Sequence, residues 1–397
     1  MPLKGIAFVC ILLISLSGCG KEDPNERANA LFIESTNSYK QAVNAKADDA
    51  IALYRESIAK LDEIVAKYPT TNLAVQLASG QPIGNISRTE IEARLAAAQK
   101  EQERQQLAAR TKQIPVGSIP HSVAINPSGT LAYVTNGGGT TVSVINTAAD
   151  TVINTISVGS NPQNIAFTPS GALAYVTDYG SGTVSVVDTD KAKVIDTITG
   201  FDRPVGVAIN PSGTLAYVTN CCNTVRIIDI AKTAFINTIS VGSNPQNIAF
   251  TPSGALAYVT NFNSSTVSVI NTATNTVVNT ISGFNGPEGV TINPSGTLAY
   301  VANSGGNTVS VIDLATNSIT GTITVGPGPY YVAFVSSGAL AYVTNERSGT
   351  VSVINTATNA VINTISGFNS PVGVAINRSG TLYVVNNHGT TVSAIVQ

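Results

Sequence analysis

The chain of 397 residues has no tryptophan and two histidines. Without an indole to stack on a quinone, a quinone-dependent redox protein is disfavoured. Two histidines cannot build a multi-histidine copper centre. The four cysteines include no C-x-x-C-H haem run. Charge is scarce as well: 11% of residues, with 21 cationic against 23 acidic. A nucleic-acid partner would need a basic face that such a balance does not supply. The apolar run Ile6–Leu16 is too short to cross a bilayer as a permanent helix.

What charge there is sits early. Thirteen of the 21 cationic and 13 of the 23 acidic residues precede Lys112. The remainder is rich in Thr, Ser, Asn and Gly, a neutral polar surface on a β-rich body. The length is enough for a large core or two domains.

Lys4, the apolar run and then Leu16-Ser17-Gly18-Cys19 resemble a bacterial lipoprotein signal, in which the cysteine is acylated and becomes the new N-terminus. A plain signal peptide also pairs a short apolar core with small residues; the cysteine at this position separates the two. The resemblance implies residues 1–18 as signal, a lipid on Cys19 and durable membrane attachment. Gly20 after the cysteine, rather than Asp, implies the outer membrane.

Ala28, Phe32, Ser35, Tyr39 and Ala42 step by four and three, as do Ile51, Tyr54, Ile58, Leu61, Val65 and Tyr68. Two amphipathic helices are expected, the second capped by Asp48 and stopped by Pro69. Ser87-Arg88-Thr89-Glu90 is a capping box, from which a third helix runs to about Arg110. The stretch Ala50–Ala78 is similar to one tetratricopeptide-type helix pair, which implies a partner groove; a helical spacer is the plainer alternative. Residues 19–111 are expected to form a helical stalk, which the signal resemblance implies is lipidated at Cys19.

The body, residues 112–397, repeats. "PSGTLAYVTN" at Pro127–Asn136 returns with small changes at Pro169, Pro211, Pro252, Pro294, Ser336 and Arg378. A period near 40 with four short strands per unit marks a β-propeller blade. In the first unit strand A is Ser122–Pro127, B is Leu131–Asn136, C is Thr141–Asn146 and D is Thr151–Gly159. Both alternating faces of strand B are apolar or small, as a blade between two neighbours requires. The last unit lacks a strand D, and Lys112–Ser118 matches one. The expectation is an all-β, seven-bladed propeller whose ring is closed by its N-terminal strand, leaving no open edge.

"YVTN" at Tyr133–Asn136, Tyr217–Asn220, Tyr258–Asn261 and Tyr342–Asn345, with the flanking "TVSVI" and "TATNTV" segments, resembles the YVTN β-propeller repeat family. Members occur in archaeal surface-layer and bacterial envelope proteins. The resemblance implies the fold and leaves the activity open.

In such a meander the A–B and C–D loops share one face, the B–C and D–A loops the other. The A–B loops are near-verbatim copies; the B–C loops all differ. Function is expected where the units diverge. The D–A loops end in pairs that ring the channel: His121-Ser122, Gln163-Asn164, Val205-Gly206, Gln246-Asn247, Glu288-Gly289, Tyr330-Tyr331 and Val372-Gly373. The candidate rim is His121, Gln163, Asn164, Gln246, Asn247, Glu288, Tyr330, Tyr331 and His388. Glu288 is the one acid among these positions; with Asn164 and Asn247 it could hold a hard cation such as Ca²⁺, an arrangement that resembles gluconolactonase-type propellers but lacks a second acid. No cofactor is otherwise expected. Ring closure sets the loop of His388 beside that of His121, a shared metal or ligand site at most. Adjacent Cys221-Cys222 lie in a B–C loop. In an oxidising envelope a strained vicinal disulfide is the first expectation, a labile redox pair or two free thiols the alternatives.

The leading expectation is a lipid-anchored envelope protein whose propeller binds or scaffolds a protein or cell-surface partner through its variable face. An enzyme is the less favoured class: a metal-dependent, lactonase-like hydrolase around Glu288. A structural surface-layer element is the third.

Overall fold

The computed structural model describes residues 23–84 and 86–396. The signal-like run and Cys19 lie outside the described residues. Two compact units divide between Ala109 and Arg110.

The helical unit contains α1 (Pro24–Val43), α2 (Ala47–Lys67), α3 (Asn72–Ala78) and α4 (Arg88–Arg110). Asp23 caps α1, accepting the Asn25 N–H at 2.9 Å, with Pro24 in the first turn. Asp48 does not cap α2 as expected. Lys46 holds that place without a side-chain bond, and Asp48 sits in the first turn, where its charge meets the positive helix end. Ser87 opens α4 as expected, accepting the Glu90 N–H at 3.1 Å. The short α3, capped by Thr71 at 3.2 Å, has no counterpart in the periodicity. Ala28, Leu31, Tyr54, Leu61, Ile64 and Ile91 form the core. Where α1 crosses α2, Ser35 and Ser57 each donate to the other's carbonyl, at 2.9 and 3.0 Å, so both buried hydroxyls are satisfied.

The second unit is the propeller. It opens with β1 (Thr111–Pro115), followed by β2 (Pro120–Ile125), β3 (Leu131–Asn136), β4 (Thr141–Asn146) and β5 (Thr151–Ser157). Strands β2 to β5, in that order, make blade 1 as strands A to D of an antiparallel sheet. Blades 2 to 6 repeat the plan. Blade 7 supplies Pro371–Ile376, Leu382–Asn386 and Thr391–Ile395, and takes β1 as its outer strand, with Ile114 opposite Val392. Seven four-stranded blades thus close the ring, as the repeat implies. Strands B and C are buried on both faces, whereas D alternates with solvent.

The repeated decamer works between blades. Each Pro of its A–B turn packs on the Gly of the next: Pro127 on Gly171, Pro169 on Gly213, Pro211 on Gly254. At the closing junction Arg378 replaces Pro, covers Gly129 and donates to the Pro127 carbonyl at 2.6 Å. The Tyr fills the blade interface and points its hydroxyl at the C–D turn of the following blade. Tyr258 donates to Asn317 Oδ1 at 2.5 Å and Tyr383 to Asp150 Oδ1 at 2.6 Å; Tyr217 and Tyr300 reach Asn275 and Asn359. Tyr rings of blades 1, 3 and 5 also meet Phe167, Phe250 and Phe334 edge-on, with centroids 4.9–5.0 Å apart. The contact skips every second blade because strand A of blades 3, 5 and 7 ends in Ile209, Ile292 and Ile376 where blades 2, 4 and 6 have Phe.

Candidate functional site

Strand A of every blade begins with a bulge. In blade 1 the register against β3 shifts between Pro120 and Val123, and the same shift recurs in all seven blades. A bulge breaks the strict alternation of side chains, so both residues of each pair can serve the channel. The Thr of the repeat secures this bend. Thr260 Oγ1 accepts the Asn247 N–H at 3.0 Å and donates to the Glu288 carbonyl of the next blade at 2.5 Å. Thr135, Thr177, Thr219 and Thr344 make the same bridge. The second position of the pair is Gly in blades 3, 5 and 7. A Cβ there would lie 2.4 Å from the Gln246 carbonyl at Gly206, 2.6 Å from the Tyr330 carbonyl at Gly289 and 2.8 Å from the His121 carbonyl at Gly373. Larger side chains from the other blades fill the channel these glycines leave.

Blade 6 spans it. Tyr331 Oη accepts from Asn164 Nδ2 of blade 2 at 2.6 Å and from Asn247 Nδ2 of blade 4 at 3.0 Å. Asn247 Oδ1 in turn accepts the Val290 N–H at 3.2 Å, which fixes the orientation of its amide. Nearer the mouth, His121 Nδ1 lies 3.1 Å from the Gln163 carbonyl and Nε2 lies 3.1 Å from Tyr330 Oη. A carbonyl only accepts, so Nδ1 carries the proton and Nε2 receives that of Tyr330. Burial pushes His121 down to about 4, so the imidazole is neutral at physiological pH. Gln163 and Gln246 commit their NH₂ groups to Asn161 Oδ1 at 2.5 Å and Asn244 Oδ1 at 2.9 Å.

Glu288 lies among these groups, almost wholly enclosed by protein atoms yet open to the channel, and among the described residues no hydrogen bond reaches its carboxyl. Burial, with a smaller push from the charge of Glu346, raises it to about 8. Burial likewise holds Tyr331 above the usual phenol range, and Glu288 adds to the shift. Glu346 is the acid that the strand-A positions do not reveal. It comes from the blade 6 B–C loop, Glu346–Ser348, a single 3-10 turn, and accepts from Ser370 Oγ at 3.2 Å. The sequence signal for it is "NERSG", the one B–C loop with two adjacent charged residues.

Not every rim candidate converges. His388 is exposed on its B–C loop and lines a 390 Å³ depression with Glu346, Asn369 and Ser370. It shares no site with His121, because both ring nitrogens of His121 are already engaged. Among the described residues no group of three or more His, Cys, Asp or Glu gathers to hold a metal. Asn164 and Asn247 turn their NH₂ groups, not their oxygens, to the channel centre, so the Ca²⁺ set of Glu288, Asn164 and Asn247 is not assembled. Cys221 and Cys222 are free thiols. The bridge their adjacency suggests is not formed; Cys222 Sγ instead donates to Asp202 Oδ2 at 2.9 Å. Furrows of 340 and 390 Å³ on the opposite face are lined by A–B and C–D turn residues such as Pro127, Ser170 and Pro252, Ser295. They recur with the repeat and gather no convergent side chains.

The family model for "Lactonase, 7-bladed beta-propeller" matches residues 83–293, just over half of the chain. The chain belongs to this lactonase family of seven-bladed β-propellers. Among solved structures, this lactonase-family propeller is similar to Kuenenia stuttgartiensis hydrazine synthase, at 20% identity and a TM-score of 0.65 over 70% of this chain and 95% of that one. At that identity the likeness concerns the fold alone. No curated protein matches the chain.

Proposed function

We propose that this lactonase-family propeller is a lipid-anchored binding protein of the cell envelope, taking its ligand or partner at the channel mouth on the variable face. One observation carries the reading: side chains from blades 1, 2, 4, 5 and 6 converge there around a carboxyl that no described residue satisfies. The lipoprotein-like Leu16-Ser17-Gly18-Cys19, the YVTN repeats and the tetratricopeptide-like helix pair support an outer-membrane setting with residues 19–111 as stalk and 112–397 as propeller. Photo-crosslinkers placed at Tyr179, Phe262 and Arg347 on the variable face, and at Ser128 and Ser253 opposite, test this in intact envelopes. Products are expected from the first set; products from the second set alone would refute it. Metabolic labelling with a palmitate analogue, abolished by Cys19→Ala, tests the anchor.

The family match favours a second reading, lactone hydrolysis at the same mouth. Tyr331, its oxygen engaged by two amides, keeps a hydroxyl proton to polarise a lactone carbonyl; water adds to the carbonyl carbon, protonated Glu288 gives its proton to the ring oxygen as the acyl C–O bond breaks, and the proton shed by the added water returns to Glu288. Base uptake in a pH-stat with glucono-δ-lactone, compared between wild type and Glu288→Gln, decides it. Equal rates exclude this chemistry.

A further inference from the structure

We infer that the channel mouth is a site for an organic cation, specifically a primary ammonium group, carried by a small amine or presented as a lysine side chain. The inference rests on the binding reading above and names the chemistry of what is bound.

The hydrogen-bond inventory points there first. The donors at the mouth are engaged within the protein first: the Asn164 and Asn247 NH₂ groups each give one hydrogen to Tyr331, those of Gln163 and Gln246 each give one to a loop asparagine, His121 Nδ1–H goes to a carbonyl, and the Tyr330 hydroxyl to His121. Each amide keeps a second N–H, and Tyr331 keeps its hydroxyl proton. The acceptors left without a partner among the described residues are the Glu288 carboxyl and the side-chain carbonyls of Gln163 and Gln246. An ammonium group is the complement, three donors and no acceptor.

Electrostatics agrees. The charges acting on Glu288, Tyr330 and Tyr331 are those of Glu288 and Glu346, with no lysine or arginine among them. Arg347, next to Glu346 in sequence, lays its aliphatic stem over Gly328. His121 is held neutral, and His388 stands exposed on the rim of the depression that Glu346 also lines. Tyr330 and Tyr331 add two aromatic faces, centroids 5.7 Å apart and tilted by 42°, a surface suited to a cation beside a carboxylate. An inorganic divalent ion is a poorer match, since it needs several oxygen ligands converging on one point. Binding exchanges a proton for the ligand: the carboxylic acid and the ammonium become a carboxylate–ammonium pair, and one H⁺ leaves to solvent.

That exchange gives a signed test. Butylammonium, a blocked Gly-Lys-Gly peptide, 1-butanol and Ca²⁺ are titrated calorimetrically into the purified protein between pH 6 and 9. Affinity for butylammonium is expected to rise about tenfold per pH unit below pH 8 and to level above it. Nearly one proton should be released per ligand at pH 6.5, read from paired buffers of different ionisation heat. Peptide binding alongside butylammonium assigns a polypeptide lysine; binding of butylammonium alone assigns a free amine. Glu288→Gln, shown folded by an unchanged thermal transition, should remove both the binding and its pH slope. Affinity that falls with pH, tighter binding of 1-butanol or Ca²⁺, or full binding by Glu288→Gln would each overturn the inference. The crosslinking map separates its failure from that of the binding reading: variable-face products without amine binding refute the ammonium site alone.

Discussion

Tyr133 and Tyr175 bury hydroxyls that have no hydrogen-bond partner among the described residues, while Tyr217, Tyr258, Tyr300 and Tyr383 each find one. The difference lies at one position of the following C–D turn. Where it is Asn or Asp, the side chain accepts; in blades 2 and 3 it is Ala192 and Thr233, both with positive φ, 47° and 48°. Neither supplies the acceptor, and neither is at ease in the left-handed region. Ala192→Asn and Thr233→Asn should therefore each stabilise the propeller by about 1–2 kcal/mol, read as a raised midpoint in urea. Asp178 is the opposite case, an acid where six units have Asn. It is buried against Thr183 and Ser185, and desolvation lifts it to about 6 from an ordinary 3.8. A raised acid contributes stability that is complete below pH 4 and is lost as pH climbs through 6. Asp178→Asn should abolish that decline and leave the protein more stable than wild type at pH 8, as thermal melts from pH 4 to 8 would show. The decamer was legible as a buried strand between blades. Its division of labour, with Tyr for the next turn and Thr for the next carbonyl, was not, because those partners lie tens of residues away in sequence; the Asn bonds within its own blade, to Thr141 and Ser143 in blade 1.

At the scale of the element, strand A decides what the channel can hold. Its seven starting pairs could be read from the repeat, since they sit at a fixed offset from "YVTN". The bulge could not, and it is the bulge that brings His121 and Tyr330, or Asn164 and Tyr331, into one space. Glu346 escaped for a related reason: it comes from a B–C loop, outside the strand-A register, yet its charge acts on Glu288. Two substitutions probe the element. Gly206→Ala places a methyl 2.4 Å from the Gln246 carbonyl and should cost about 2–3 kcal/mol, far more than Gly139→Ala in the roomier first B–C loop. Thr260→Val keeps the volume and deletes the latch on the Glu288 carbonyl. It should lose about 1–2 kcal/mol and also weaken whatever binds at Glu288; melts and ligand titrations of the same variant read the two effects.

At the scale of the molecule, seven blades are held by one noncovalent clasp. β1 pairs along Thr111–Pro115 with Thr391–Ile395, Gln113 Nε2 donates to Ser393 Oγ at 2.9 Å, and Ile114 is buried against Val392 and Tyr383. The clasp was predictable from a missing last strand and a surplus first one. Ile114→Asn should lower the melting temperature by several degrees, consistent with a loss of about 2–4 kcal/mol for a buried apolar side chain. Limited proteolysis should then cut first beside blade 7. The clasp also sets a timetable. Its two halves are 280 residues apart, so the first propeller strand to be synthesised is the last to find its place. The ordering entropy of the whole intervening chain stands against that pairing until six blades have formed. During that interval β1 and the Thr391–Ile395 strand are both bare edges, able to accept a strand from a neighbouring molecule. The expected misfolded form is a dimer whose two chains have exchanged β1, and its share should grow with protein concentration during refolding, as size-exclusion chromatography would show.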